Sequence, residues 1–340
     1  MKKVLLPQPI HEAGIKLLEG KTKIIICPDA SKKSALRLVK NVHGIILRTS
    51  LVVDKDIIDA AKNLQVVSRT GVGVDNIDAK EATKKGILVC NLPGVNTLSV
   101  AEHTVSFILA LAKQLKFMDK STRQEQWNNR NSYQAIELKD KLLGLIGVGR
   151  IGSQVATICH KAFNIQVVGY DPYVGKSNQI KNGIQFYDRI EEVFEKADFV
   201  SVHIPSTPKT HNLITWKLFN KMKKNAYFIN TSRGEVVNEK ALIKALEEGK
   251  IKGAALDVFS KEPPSANNPL LQMENVLFSP HSASLTQECV IRLAKEAVQA
   301  VLNVFANKLP KNIFNQKELE KAGFIKEDRF TTKFKNKGDS

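Results

Sequence analysis

Short runs of apolar residues alternate along this chain with segments in which apolar residues recur every three or four positions. Helix-like segments such as Asp78 to Lys85 begin with a residue that caps free amides and end before a glycine. Because parallel strands need a long crossover connection, usually a helix, this alternation predicts right-handed β-α-β units and a parallel sheet. In the first part of the chain, buried strands are predicted at Lys3–Leu6, Lys23–Cys27, Gly44–Arg48, Gln65–Ser68 and Ile87–Cys90.

A second block of the same kind follows a long helix that is predicted to begin near Thr97 and to run past Lys113. The polar stretch 124–134 is interpreted as an excursion at a subunit contact. The final helix is predicted over about Leu285–Asn307, and the chain beyond it is basic. Together the two blocks predict an α/β fold with two doubly wound parallel-sheet domains. The other elements predicted in the second block are strands at Lys141–Ile146, Ile165–Tyr170, Phe199–Ile204, Ala226–Asn230, Gly253–Leu256 and Val276–Phe278, and a helix at Asn238–Gly249.

Composition narrows the class of protein. The 340 residues are 43% hydrophobic and 25% charged, which is ordinary for a soluble globular chain. The longest clean apolar run, Val105–Ala112, falls far short of the ~18 residues of a membrane span, and Met1-Lys2-Lys3 precedes too few apolar residues for a secretion signal. The cysteines are scattered without a C-x-x-C pair, so we expect free thiols, no metal site and a cytoplasmic location. They are Cys27, Cys90, Cys159 and Cys289.

The formal net charge of +17 could indicate a protein that binds nucleic acid. However, the positive excess is spread along the chain: residues 308–340 hold nine basic and five acidic side chains. No basic stripe with interleaved aromatic residues occurs in the sequence. We therefore expect no nucleic-acid partner and interpret the basic surface as one that attracts small anionic substrates.

A glycine-rich motif lies between a predicted strand and a predicted helix. Gly147-Val148-Gly149-Arg150-Ile151-Gly152 matches G-x-G-x-x-G, in which the first glycine permits a tight turn, the second admits a pyrophosphate and the third lets helix and strand pack closely. The amides at the helix start attract phosphate. Asp171 ends the next strand, nineteen residues after Gly152, and can accept hydrogen bonds from both ribose hydroxyls of NAD while repelling the 2′-phosphate of NADP. The motif predicts NAD as cofactor.

Polar residues follow the later strands of the second block, where open parallel sheets bind ligands. Arg233 can hold a carboxylate through two parallel hydrogen bonds. His281 with a carboxylate partner such as Glu262 can stay protonated near neutrality and pass a proton to a carbonyl oxygen. Asp257 faces the same edge. Each of these residues also has a simpler interpretation, as a solvated loop residue or a packed histidine.

Because of these motifs and several others, the sequence resembles the D-isomer-specific 2-hydroxyacid dehydrogenases. This is the family of D-lactate, phosphoglycerate and hydroxypyruvate/glyoxylate dehydrogenases. The resemblance covers about residues 3 to 315. Besides the glycine-rich turn, the motifs that carry it are Gly71-Val72-Gly73-Val74-Asp75-Asn76, Ser99-Val100-Ala101-Glu102-His103-Thr104, His203-Ile204-Pro205 with Thr210, the segment around Arg233, Leu256-Asp257-Val258-Phe259 with Glu262-Pro263, and Pro280-His281.

The resemblance implies that a 2-keto acid and a D-2-hydroxy acid are interconverted with NADH and NAD. It makes His281 the proton donor, Glu262 its partner and Arg233 the clamp for the substrate carboxylate. Arg48 resembles the phosphoglycerate type, and the backbone amides of Val72 and Gly73 would bind the carboxylate. The resemblance assigns cofactor contacts to Gly147, Gly149, Arg150, Ile151, Gly152, Asp171, Pro205, Thr210, Thr231 and Asp257. His103 matches the family's Glu-His pair, but its position on an apolar helix indicates packing, and His203 is expected to shape the cofactor pocket.

The resemblance also implies a Rossmann NAD-binding domain, about 99–284, inserted into a flavodoxin-like substrate domain, about 1–98 plus 285–320, with a flexible basic tail at 321–340. A homodimer is expected through the Thr97 helix and residues 119–140, with no regulatory domain after the last helix. The leading activity is of the phosphoglycerate dehydrogenase type. The alternatives are a hydroxypyruvate/glyoxylate reductase and, in a different class, an NAD-sensing interaction protein like the corepressors built on this fold. One departure, Ser282-Ala283-Ser284 where many members have Ile-Gly-Gly or Ile-Gly-Ala, alters the expected pocket wall.

Overall fold

The computed structural model describes residues 1–132, 134–173, 180–181, 183–327, 329–331 and 334. The chain divides into two compact units: unit 1 comprises Met1–Asn96 with Thr286–Ser340, and unit 2 comprises Thr97–Leu285. None of the helices in the described part of the chain is both long enough and apolar enough to cross a membrane.

Unit 1 is built on a five-stranded parallel sheet in the order β2-β1-β3-β4-β5, which is the flavodoxin-like strand order. Both faces of the sheet are covered by helices, so its strands are nearly continuous runs of apolar residues. Its first elements are β1 Lys3–Leu6, α1 Glu12–Leu18, β2 Lys23–Ile26, α2 Lys32–Leu38, β3 Gly44–Leu47, α3 Lys55–Ala60, β4 Val66–Arg69, α4 Ala79–Lys84 and β5 Leu88–Cys90.

Side chains that alternate along the strands of unit 1 enter two separate cores. Val4 and Ile46 pack with residues of the long C-terminal helix on one face of the sheet. Leu5, Ile45 and their neighbours pack with helices α2 and α3 on the other face. The α4 helix begins as its sequence predicts, because the Asp78 carboxylate accepts a hydrogen bond from the amide of Glu81 at 2.9 Å.

Unit 2 is built on an eight-stranded sheet in the order β13-β12-β11-β10-β6-β7-β9-β8, in which all strands except β8 are parallel. The strand order reverses at β6, which lies between β7 and β10, and this is the switch point at which such sheets bind ligands. Its elements are α5 Thr97–Ala112, α6 Leu115–Arg123, β6 Leu142–Ile146, α7 Arg150–Phe163, β7 Gln166–Tyr170, β8 Ile180–Lys181, β9 Ile184–Phe186, α8 Ile190–Lys196, β10 Phe199–Val202, α9 Trp216–Phe219, β11 Tyr227–Asn230, α10 Glu239–Glu247, β12 Gly253–Leu256 and β13 Val276–Phe278.

The predicted fold class is confirmed, since the structure contains two doubly wound parallel sheets with helices on their faces. Two details of unit 2 differ from the expectation. The Thr97 helix ends at Ala112, because Gln114 adopts a left-handed backbone with φ of 48° and a separate helix, α6, then begins. Strands β8 and β9 had no predicted counterpart.

The last part of unit 1 comprises α11 Gln287–Phe305, α12 Gln316–Lys321, β14 Ile325–Lys326 and β15 Arg329–Phe330. The expectation of a flexible tail at 321–340 is wrong for its described residues. Strands β14 and β15 pair with each other, and Phe330 stacks on Phe334 at a ring distance of 4.0 Å. The core beneath α11 contains Phe324, Ile325 and these two rings, all of them buried. These apolar side chains occur at intervals in the otherwise basic stretch, and their burial holds it against the core. The remainder of the predicted tail lies outside the described residues.

Candidate active site

The glycine-rich turn has the shape that a dinucleotide phosphate requires. Gly147 adopts a φ of 91°, and a Cβ atom on Gly152 would lie 2.3 Å from the carbonyl oxygen of Gly147, so neither position accepts a side chain. A Cβ atom on Gly149 would meet no protein atom within 4 Å, which leaves open space beside the turn. Gly149 also caps α7 without any side-chain hydrogen bond, so the first amides of the helix face that space.

Around this turn the predicted cofactor residues Arg150 and Ile151 form the first turn of α7. Asp171 follows β7, and its carboxylate accepts one hydrogen bond from the amide of Val148 and one from the amide of Tyr173, both at 2.9 Å. Each carboxylate oxygen keeps a further lone pair that can accept a ribose hydroxyl. Asp171 therefore fixes the glycine-rich turn. These features fit NAD.

The loop after β10 carries His203, Pro205 and Thr210. The Thr210 hydroxyl donates to the carbonyl of Pro205 at 2.6 Å and closes the loop on itself. His203 lies against the glycine-rich turn, since its carbonyl oxygen would be 2.6 Å from a Cβ atom on Gly147. Its Nε2 pairs with the Ser201 hydroxyl at 2.9 Å, and its Nδ1 is buried without a protein partner among the described residues. Burial lowers the pKa of His203 from 6.5 to about 4, so the ring is neutral at pH 7.

The loop after β11 places Thr231 and Arg233. Thr231 is buried and shares a hydrogen bond of 2.9 Å with the hydroxyl of Thr104 on α5. The Arg233 guanidinium donates to the carbonyl of Ser232 at 2.7 Å. A Cβ atom on Gly234 would lie 1.9 Å from the backbone of Phe259, so only glycine lets the Arg233 loop approach the loop that carries Glu262.

The structure brings His281 and Glu262 together. Nδ1 of His281 lies 2.7 Å from Oε2 of Glu262, and the other carboxylate oxygen accepts the amide of Phe259 at 3.1 Å. Burial alone would raise the pKa of Glu262, but the hydrogen bond and charge of His281, the Phe259 amide and the charge of Arg233 hold that pKa below its ordinary value of 4.5. Glu262 is thus an anion that fixes one nitrogen of the imidazole, and Nε2 is the nitrogen left for a substrate.

Asp257 holds the turn that carries His281. The backbone carbonyl of Asp257 accepts the amide of His281 at 2.8 Å. Its carboxylate, 1% exposed, accepts the Ser279 hydroxyl at 2.5 Å and the amides of Ser282 and Ala283 at 2.7 and 3.1 Å. The predicted cofactor residue Asp257 therefore has an internal role in shaping the site.

The contact between His103 and Ser279 was not predicted from the sequence, which indicated only a packing role for His103. Nε2 of His103, on α5, lies 2.8 Å from the hydroxyl of Ser279. His103 does pack, with its ring 4.5 Å from that of Phe107, but packing is not its whole role. Burial lowers the pKa of His103, although the nearby charge of Asp257 opposes that shift. The sequence signal for this contact was the polar run Glu102-His103-Thr104 on an otherwise apolar helix.

Three of the predicted substrate residues, Arg48, Val72 and Gly73, lie in unit 1 and follow neighbouring strands of its sheet. Arg48 follows β3, and its guanidinium donates to the carbonyl of Pro9 at 3.1 Å. Val72 and Gly73 lie in the loop after β4, where Val72 is 37% exposed. Arg69, which the sequence analysis did not single out, ends β4 and pairs in register with Leu47, the residue before Arg48. The available signal was the place of Arg69 directly after the predicted strand Gln65–Ser68, where open parallel sheets bind ligands.

Among the described residues, no group of three or more His, Cys, Asp or Glu side chains is placed to hold a metal ion. The four cysteines are free and buried. The chemistry available at the unit 2 sheet edge is therefore a dinucleotide cradle, a guanidinium that can bind an anion, and an imidazole paired with a carboxylate.

Comparison with known proteins gives a consistent set of relatives. Residues 105–283 match the family model described as D-isomer specific 2-hydroxyacid dehydrogenase, NAD binding domain. The chain is 40% identical over 328 residues to a D-3-phosphoglycerate dehydrogenase of Methanocaldococcus jannaschii, an alignment that covers 96% of this chain and 62% of the relative. It is 38% identical to a glyoxylate reductase of Thermofilum pendens, over 94% of this chain and 96% of the relative. The chain thus spans about three fifths of the length of the first phosphoglycerate dehydrogenases that it matches.

Solved structures show the same likeness. The crystal structure of a D-lactate dehydrogenase from Aquifex aeolicus, complexed with NAD and lactic acid, aligns with a TM-score of 0.83 at 28% identity and covers 92% of this chain and 99% of that one. An NADPH-dependent glyoxylate/hydroxypyruvate reductase from Sinorhizobium meliloti aligns with a TM-score of 0.81 at 26% identity, over 92% of this chain and 97% of that one.

Proposed function

The chain belongs to the D-isomer-specific 2-hydroxyacid dehydrogenases, and on this premise we propose that it is an NAD-dependent oxidoreductase that interconverts a 2-keto acid and a D-2-hydroxy acid. The observation that carries the proposal is the 2.7 Å pair between His281 and Glu262. It lies in the same unit as Arg233 and a glycine-rich turn that fits a dinucleotide. A proton donor, an anion clamp and a cofactor cradle are the three parts that the reaction needs.

The glycine-rich turn at Gly147–Gly152 would hold NADH, which would supply a hydride to C2 of the keto acid. The imidazolium of His281 donates the proton that the keto oxygen takes up, and the same ring accepts it back in the oxidation. Glu262 holds Nδ1 and stabilises the positive ring. The fork of Arg233 binds the substrate carboxylate, which orients the carbonyl toward His281.

We propose NAD rather than NADP as the cofactor because of Asp171. Its carboxylate has one free lone pair on each oxygen for a ribose hydroxyl, and its negative charge opposes a 2′-phosphate. The other proposed cofactor contacts are the glycine-rich turn with Arg150 and Ile151, the loop of Pro205 and Thr210, Thr231 and Asp257.

We propose a phosphorylated substrate, as in a phosphoglycerate dehydrogenase, with unit 1 as the part that binds it. Arg48 and Arg69 lie at the ends of neighbouring strands, and two guanidiniums suit a phosphate better than an uncharged substituent. The Val72–Gly73 loop adds backbone amides. A hydroxypyruvate/glyoxylate reductase is the alternative that the Thermofilum pendens relative favours.

We also propose a cytoplasmic homodimer. The four buried free cysteines suit a reducing compartment. Large apolar side chains are exposed on α6 and in the segment after it: Leu115 is 54% exposed, Phe117 42% and Trp127 63%. A cluster of this kind on one segment is typical of a surface that contacts another copy.

The experiment is NADH oxidation by the full chain against 3-phosphohydroxypyruvate, hydroxypyruvate, glyoxylate and pyruvate. We expect the highest kcat/KM with the phosphorylated acid. Arg69→Ala should lower that value by about 10- to 100-fold, as the loss of a charge-assisted hydrogen bond does, with little effect on hydroxypyruvate. Lys40→Ala, which removes an equal charge from an exposed position, is the matched control. Preference for glyoxylate would favour the alternative reductase. If none of these acids supports the oxidation of NADH, the enzymatic proposal is contradicted. An NAD-sensing interaction protein would then be the remaining candidate.

A further inference from the structure

Two consecutive polar residues of α5 reach the loops that carry the proposed active site. Thr104 is fully buried, and its hydroxyl donates to the carbonyl of Val100 at 2.8 Å. The Thr104 hydroxyl has only this one proton, so Thr231 is the donor in the hydrogen bond between the two threonines. His103, the residue before it, contacts Ser279 on the opposite loop. The helix thus anchors both the Arg233 loop and the His281 loop.

The direction of the second contact follows from proton counting. The single proton of the Ser279 hydroxyl points to Oδ1 of Asp257, 2.5 Å away, which is an acceptor only. Oγ of Ser279 must then accept from His103, so Nε2 of His103 carries a hydrogen. The three groups form one directed chain from His103 through Ser279 to Asp257. Nε2 of His103 lies 4.0 Å from Oδ1 of Asp257, so the serine hydroxyl is the link between them.

The far end of this chain sets the backbone of the proton donor. Oδ1 of Asp257, which accepts the Ser279 hydroxyl, also accepts the amide of Ser282, the residue after His281. His281 has a φ of 51°, in the left-handed region that non-glycine residues seldom adopt. Such a conformation persists only where surrounding bonds hold it, and the Asp257 carbonyl and carboxylate supply those bonds.

We propose that His103 and Ser279 are positioning residues for the proton donor: by their hydrogen-bond chain to Asp257 they hold the left-handed turn that aims His281. This inference rests on the proposed function, because it concerns the geometry of the same proton transfer. Neither residue touches the imidazole of His281, so their effect passes through Asp257.

The test is a double-mutant cycle on turnover. Ser279→Ala removes the link, and His103→Phe keeps a ring beside Phe107 but removes the donor. Each single variant should lower kcat for keto-acid reduction by about 10-fold, and the double variant should lose little more than either, because residues of one network are not additive. The dissociation constant for NADH should change by less than about 3-fold in all three, since the Asp257 carboxylate keeps its bonds to the amides of Ser282 and Ala283 and the glycine-rich turn is not altered.

Two further variants separate positioning from general damage. Ser279→Thr keeps a hydroxyl and should restore most of kcat, which a merely structural cavity effect would not predict. Ser106→Ala, on the same helix, removes a hydroxyl that bonds only to its own helix, at the His103 carbonyl, and should leave kcat unchanged.

In the NMR spectrum, ¹⁵N shifts should show His103 with its proton on Nε2.

The outcomes are distinguishable. Single variants with the kcat of the unmodified enzyme, a multiplicative double variant, or a His103 ring with its neutral proton on Nδ1 would overturn the positioning role while leaving the proposed function intact. An unmodified chain that binds NADH but reduces no keto acid would contradict the proposed function itself.

Discussion

Nδ1 of His281 and Oε2 of Glu262 lie 2.7 Å apart although nineteen positions separate the two residues along the chain. The loops after β12 and β13 bring them together, because these strands are neighbours in the sheet and end at the same edge. A carboxylate at this distance both orients the ring and stabilises its positive form. This geometry supports the proposed role of His281 as a proton donor, because the pair leaves one nitrogen of the ring for a substrate.

Replacing Glu262 by Gln tests the charge of this pair while keeping its shape. The amide can still accept a hydrogen bond from Nδ1, but it no longer stabilises the imidazolium. We expect kcat for reduction to fall by about 10- to 100-fold, which is less than the full 10²- to 10⁴-fold of general acid catalysis because the imidazole of His281 remains. The measurement is the rate of NADH oxidation at saturating NADH and keto acid. A variant with the kcat of the unmodified enzyme would argue against the electrostatic role of Glu262.

Replacing Asp171 by Asn tests the choice of cofactor. The substitution keeps an oxygen for the Val148 amide and removes the charge that opposes a 2′-phosphate. We expect the ratio of kcat/KM with NADH to that with NADPH to fall by at least about 5-fold, since one unfavourable charge contact is worth about 1 kcal/mol or more. Glu247→Gln, on the exposed face of α10, removes an equal charge elsewhere and should leave the ratio unchanged. An unaltered ratio in the Asp171 variant would remove Asp171 from the ribose site.

The buried ring of His203 predicts a dependence of stability on pH. Its pKa is about 4 in the folded protein and 6.5 ordinarily, so between these values the unfolded chain binds a proton that the folded chain does not. The free energy of unfolding should therefore fall as pH decreases from 6.5 to 4, by at most about 3 kcal/mol from this residue.

The measurement for His203 is urea unfolding at several pH values in that range. The variant His203→Gln should lose the corresponding part of the pH dependence, whereas His211→Gln, at an exposed position, should keep it. If the His203 variant shows the same slope as the unmodified protein, the ring is not held neutral by burial.

Asn315 should be a large local contributor to the stability of unit 1. It is 2% exposed, and its side chain accepts the amide of Val89 and donates to the carbonyl of Ile87 and the hydroxyl of Thr83, at 2.9 to 3.0 Å. Asn315→Ala would remove this partner from the amide of Val89 and the carbonyl of Ile87 and should destabilise the protein by about 3 kcal/mol. Lys317→Ala, at an exposed position two residues along, is the control in the same unfolding experiment. Equal stability of the two variants would contradict the account of this segment.

The strands could be predicted from the sequence because both faces of each sheet are buried and the strands read as uninterrupted apolar runs. Strand β9 escaped prediction because its three residues alternate between buried and exposed and resemble a loop. The C-terminal segment was misjudged for a similar reason: Phe324, Phe330 and Phe334 are widely spaced among charged residues, and only the folded hairpin brings them into one core.

The candidate site, like the fold, could be predicted from the sequence only in part. The glycine-rich turn, Asp171 and the residues that follow strands could be predicted, because such sheets bind ligands where their strands end. The contact between His103 and Ser279 could not, since 176 positions separate them and a histidine on an apolar helix is typical of core packing. Distances between loops depend on the whole sheet and are not encoded in any local pattern.

The central claim is that His281 supplies the proton for reduction of a 2-keto acid by NADH. Its most direct test is the variant His281→Asn, assayed on one preparation for NADH binding by fluorescence and for keto-acid reduction at saturating NADH. The account predicts that kcat falls by about 10²- to 10⁴-fold while NADH binds as tightly as before. Turnover close to that of the unmodified enzyme, or loss of NADH binding, would contradict it.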